Sequence, residues 1–127
     1  MDSSTVINIL IFALAAWFIY SRFAPTKGLK TLKDPDFQKE LQQKDNFLAD
    51  VREPHEYQRG HIQGAVNIPL SQLRNRINDF PNDKPIYLYC QSGMRSKQAA
   101  KILSKSGKTQ LAHLLGVISA YSGKVVK

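Results

Sequence analysis

Cysteine is nearly absent: Cys90 is the only one in 127 residues. No internal disulfide can form, and no second thiol is present to resolve a bond made to the first, so any sulfur or redox chemistry must finish on another molecule. Positive charge is missing from the first 21 residues, where Asp2 is the only charged side chain, so all 18 Lys and Arg fall at or beyond Arg22. Internal repeats and low-complexity tracts are lacking as well, which excludes a solenoid. Aromatics do not interleave the basic residues either. Lys97, Lys101, Lys105 and Lys108 recur at roughly helical spacing with none between them, the pattern of a solvated helix face rather than a nucleic-acid surface. His55, His61 and His113 show no metal-ligand spacing with one another or with Cys90, so neither a metal site nor a cofactor is expected.

One long apolar run is present. VINILIFALAAWFIY, from Val6 to Tyr20, contains Asn8 as its single polar side chain and no charge. With Ser3, Ser4, Thr5, Ser21, Arg22 and Phe23 added it reaches the ~20 residues that a bilayer core requires, since Arg22 can snorkel. A cleaved signal peptide is the competing reading. No basic residue precedes the run and no A-x-A-like site follows it, whereas Arg22, Lys27, Lys30 and Lys33 come directly after. These flanks favour an uncleaved anchor through residues 3–23 with the N-terminus outside and the rest cytoplasmic, at the cell membrane. Pro25, Thr26, Lys27 and Gly28 read as a linker, which divides the chain into an anchor with linker, 1–27, and one small domain, 28–127.

Downstream, short apolar runs alternate with amphipathic stretches, as in an α/β fold with a mostly parallel sheet flanked by helices. The spacing predicts a helix over 34–43, with Asp34 as N-cap, Pro35 at the first helical position, and Phe37 and Leu41 as an apolar pair. A strand follows over 46–51, then an irregular polar stretch from Glu53 to His61 and a short apolar segment over 65–68. Leu73, Ile77 and Phe80 predict a helix over 71–80. Strands are expected at 86–89 and 110–115, with a helix over 95–106 between them, closed by Gly107.

The chemistry concentrates where the 86–89 strand meets that helix, at Cys90-Gln91-Ser92-Gly93-Met94-Arg95-Ser96. Ligand sites in parallel sheets lie at the carboxyl ends of strands. Unpaired amides and the positive end of a helix lower a thiol's pKa and hold an anion, and Gly93 lets the backbone curl around it. Such a loop can cradle an oxyanion or the terminal sulfur of a persulfide. Arg95 adds a planar cationic fork suited to thiosulfate or phosphate. Ser96 either donates a hydroxyl hydrogen bond or caps the helix.

At this point the chain resembles a rhodanese-homology domain. The likeness is carried by Asp50-Val51-Arg52-Glu53, Glu56-Tyr57, Gly60-His61-Ile62, Gly64-Ala65-Val66-Asn67-Ile68-Pro69 and the CxxGxRS loop from Cys90 to Ser96, across roughly residues 28–124. It implies a small rhodanese-like domain and a sulfurtransferase. Cys90 would take sulfane sulfur from thiosulfate or a persulfide and pass it to a thiol or protein sulfur acceptor. The amides from Gln91 to Ser96 would hold the persulfide, and Arg95 would help select the donor anion. Asp50 and Arg52 would be structural and paired near the site, and His61 would fix a loop. Two departures stand out. Gly116-Val117 and Tyr121 replace the family's Gly-Gly and tryptophan, which puts local packing in question. Gln91 stands where many active members carry arginine, which weakens thiosulfate as the donor.

Two rivals remain. A phosphatase or arsenate reductase could share the fold, but its loop needs five residues between cysteine and arginine, and only Gln91, Ser92, Gly93 and Met94 intervene here. A non-catalytic membrane-tethered adaptor would have no need of an electropositive thiolate pocket.

Overall fold

A computed structural model describes residues 2–23, 26, 28–43 and 45–127. Helix α1, Ser3–Phe23, is long and apolar enough to cross a membrane, and its described side chains are exposed. The linker reading of Pro25 and Lys27 falls outside the described residues, as does the side chain of Arg22.

The remaining elements are β1 (Leu29–Leu32), α2 (Asp36–Gln43), β2 (Phe47–Asp50), α3 (Pro54–Gln58), β3 (His61–Ile62), β4 (Val66–Asn67), β5 (Ile86–Tyr89), α4 (Met94–Lys105), β6 (Leu111–Leu114) and β7 (Val125–Val126). Five strands form one parallel sheet in the order β1-β6-β5-β2-β4, and β3 pairs antiparallel with β7 apart from it. Because all five run the same way, their carboxyl ends share one edge, and β5 delivers Cys90 to the middle of it.

Alternation along the strands sorts the core into two layers. Ile86, Leu88 and Cys90 face α4, where they meet Ala99, Ala100, Leu103, Leu73 and Phe80. Tyr87 and Tyr89 face the other way, against Phe37, Leu48, Ile62 and Leu114. The α4 side chains on the sheet are mostly small. Leu103 is the large one, and its complete burial contributes roughly 1.5–3 kcal/mol.

Four expectations need correction. α2 begins at Asp36 rather than Asp34, and the Asp34 carboxylate accepts from the Ser122 amide and hydroxyl instead of capping the helix. The 71–80 stretch is not one α-helix but two 3-10 segments, Leu70–Asn75 and Ile77–Asp79, separated by Arg76 at φ −125°. Leu70/Leu73 and Ile77/Phe80 are each spaced by three, which a 3-10 turn places on one side as well as an α-turn does. The polar stretch after Glu53 is helical: Pro54 opens α3, and Glu53 and Glu56 form a reciprocal capping box. β1 was not anticipated, since Leu29 and Leu32 do not alternate with period two.

Candidate active site

The loop from Cys90 to Gly93 connects β5 to α4, and the thiol is 1 % exposed. Sulfur accepts from the Gly93 amide at 3.1 Å and the Ser96 amide at 3.3 Å. Gly93 sits at φ +105°, and a Cβ there would come 3.3 Å from the Leu114 carbonyl oxygen, so both conformation and space call for glycine. That geometry turns its N–H inward to sulfur and starts α4 at Met94. The first-turn amides of α4 have no acceptor within the helix, so the sulfur lies at the end of the helix that favours anions.

Gln91, Ser92 and Met94 are exposed, Arg95 is half-buried and Ser96 is buried. The Ile118 amide donates to the Gln91 carbonyl at 3.0 Å, which ties the loop to the turn after Gly116. In that turn Ile118 is buried and Tyr121 packs on the same apolar layer, so the departures from the usual glycine and tryptophan leave a packed corner. Arg95 does not offer a free fork. Its Nη1 and Nη2 donate to the two carboxylate oxygens of Glu56 at 2.7 and 2.9 Å, and hydrogen bonding by Arg95 holds the Glu56 carboxyl down at about 2. Of its two expected roles Ser96 takes the hydrogen-bonding one, since Gly93 is the N-cap of α4 and no side chain caps it. Its hydroxyl is 3.1 Å from the Gly93 carbonyl, 3.7 Å from Cys90 Sγ and 2.9 Å from His113 Nδ1.

Asp50 and Arg52 are buried together below the loop's strand edge. Arg52 Nε and Nη2 grip the carboxylate at 2.7–3.0 Å, and Nη2 also donates to the Gly60 carbonyl at 2.6 Å. Tyr89, immediately before Cys90, accepts from the Ile62 amide at 3.0 Å; burial, then the Asp50 charge, pushes its phenol well above the usual range. His61 stacks on the Tyr57 ring at 3.7 Å and bonds the Tyr57 carbonyl through Nδ1 at 2.9 Å, so its contacts fix the turn after α3. His113 escaped the sequence reading, which weighed it only as a metal ligand. Its link to Ser96 depends on how α4 packs on β6, which spacing along the chain does not reveal.

A model of the rhodanese-like domain matches residues 34–124. The chain belongs to the rhodanese-like domain family. It is 41 % identical over 123 residues to the uncharacterized protein YqhL of Bacillus subtilis, covering 97 % of this chain and 96 % of that one. It is 43 % identical over 70 residues to the thiosulfate sulfurtransferase PspE of Escherichia coli, covering 54 % of this chain and 67 % of that one. A rhodanese-related protein from Thermoplasma volcanium superposes with a TM-score of 0.69 at 29 % identity, covering 76 % of this chain and 97 % of that one. The parallel sheet with flanking helices is therefore the rhodanese fold, and sulfurtransferases among the relatives support a general role in sulfur transfer.

Proposed function

We propose that the protein is a sulfurtransferase that carries sulfane sulfur as a persulfide on Cys90, working at a membrane surface to which residues 3–23 tether it. The observation that carries this reading is the double amide grip on Cys90 Sγ at the N-terminus of α4, two N–H donors aimed at the atom that would carry the sulfur. The thiolate attacks the sulfane sulfur of the donor. A bond forms between Sγ and that sulfur, the donor's own bond to it breaks, and the leaving group departs as sulfite from thiosulfate or as a thiolate from a persulfide. An acceptor thiolate then attacks the outer sulfur and regenerates the Cys90 thiolate, so the charge balances at each step. The amides of Gln91, Ser92, Met94 and Arg95 are the donors left for the outer sulfur.

A persulfide donor suits the loop better than thiosulfate. Gln91 brings no charge, and Glu56 holds the Arg95 fork that a sulfonate would need. Asp50, Arg52 and His61 serve to hold the loop's surroundings. Incubating the full chain in detergent with either donor is expected to add ~32 Da, one sulfur, that cyanide removes and that Cys90→Ser abolishes. An unmodified mass with every donor would leave the adaptor role instead.

A further inference from the structure

β5 turns Cys90 toward α4, and β6 turns His113 the same way, because Ala112 and Leu114 on either side of it belong to the opposite apolar layer. Ser96, in the first turn of α4, lies between them: its Oγ is 2.9 Å from His113 Nδ1 and 3.7 Å from Cys90 Sγ, with the Gly93 carbonyl at 3.1 Å. On the far side, His113 Nε2 is 3.2 Å from the hydroxyl of Thr31, its register partner on β1. Ser96 has one proton and three groups within reach, so its direction depends on what His113 presents. If Nδ1 is bare it takes the proton, and Ser96 turns a lone pair toward sulfur. If Nδ1 carries hydrogen, His113 donates to Ser96 and the serine proton is free for the thiolate.

The second arrangement satisfies every group, since the Gly93 carbonyl that Ser96 gives up still accepts from the Lys97 amide at 3.2 Å. Thr31 donates to Nε2, Nδ1–H donates to Ser96, and Ser96 donates to sulfur. A sulfur anion facing an oxygen lone pair is disfavoured, so thiolate formation selects this direction. His113 is 2 % exposed; burial lowers its pKa and Lys97 acts in the same sense, so at neutral pH the ring is neutral and its tautomer is open to selection.

We propose that His113 is a positioning residue for Cys90: as the Nδ1–H tautomer, with Thr31 donating to its Nε2, it aims the Ser96 hydroxyl proton at the thiolate and, after loading, at the inner sulfur. This deepens the sulfurtransferase reading and rests on its nucleophile, yet it concerns the thiolate alone and needs no sulfur donor to test. The charged groups facing the assembly are Arg95 and Lys97 on α4, with Glu53 and Glu56 opposite Arg95 from the start of α3. All four stay in place in the variants below.

The test is the rate of Cys90 alkylation by iodoacetamide against pH, on the full chain in detergent. His113→Leu is expected to raise the midpoint by about one pH unit, leaving about tenfold less thiolate below it. His113→Asn, whose amide N–H can stand in for Nδ1–H, should return most of the shift. Thr31→Val, at an exposed position, should move the midpoint the same way by less. Equal shifts in His113→Leu and His113→Asn would mean that the ring acts only by packing, and would overturn the proposal. An unchanged midpoint in His113→Leu does the same, or in Thr31→Val should the leucine variant not fold. A wild-type protein with a clear His113-dependent midpoint that takes no sulfur sinks the sulfurtransferase reading alone; sulfur loading without any His113 effect sinks this inference alone.

Discussion

Arg95 leaves the loop already engaged, and the pairing sets an acid limit that belongs to single residues. Glu56 titrates at about 2 in the folded protein against an ordinary 4.5, chiefly because Arg95 donates to it. A depressed carboxyl contributes stability that is fully present above its unfolded value and is lost as pH falls toward about 2. Both side chains remain partly open to water, at 34 % and 21 % exposure, so the contribution is held to about 1 kcal/mol. Urea denaturation of Glu56→Gln should show a smaller loss of stability between pH 5 and 3 than the wild type. If the two proteins lose stability in parallel over that window, the pair is not what acid breaks.

Among the elements, β2, β3 and β5 are joined by polar atoms as well as by apolar packing. Tyr89 holds the Ile62 amide, while Arg52 reaches from Asp50 to Gly60. Removing the hydroxyl leaves a buried amide without its partner, so Tyr89→Phe should destabilise the protein by about 1–3 kcal/mol, read from the urea midpoint at constant slope. Elements of this kind were legible in the sequence wherever a run was long or bounded. β5, α4 and β6 declared themselves through continuous apolar strands, helical spacing and Gly107. β1 did not, because four residues with one buried side chain carry too little pattern, and β7 is shorter still. The capping box of Glu53 and Glu56 was there to be read, but five residues of helix without a buried face gave no periodicity to support it. Cys90, Gly93 and Ser96 were found because strand, turn and helix N-terminus are contiguous in the chain. The contacts of His113 and the capture of Arg95 by Glu56 join residues 17 and 39 positions apart, and only the folded register brings them together.

The whole molecule couples a small rhodanese-like domain to an apolar helix, and the consequence we propose is local concentration. A tethered domain meets membrane-bound partners at an effective concentration set by its linker. A chain lacking residues 2–23 should therefore lose activity in cells at native expression while keeping persulfide formation in vitro; full complementation would make the helix incidental. The depth of Cys90 has a further effect. With 1 % of its surface open, the Cys90 thiol is a poor target for anything wide, whereas the outer sulfur of the proposed persulfide would stand one bond farther out. On that proposal burial would act as a size filter that relaxes on loading. A bulky maleimide should then label the sulfur-charged protein faster than the empty one.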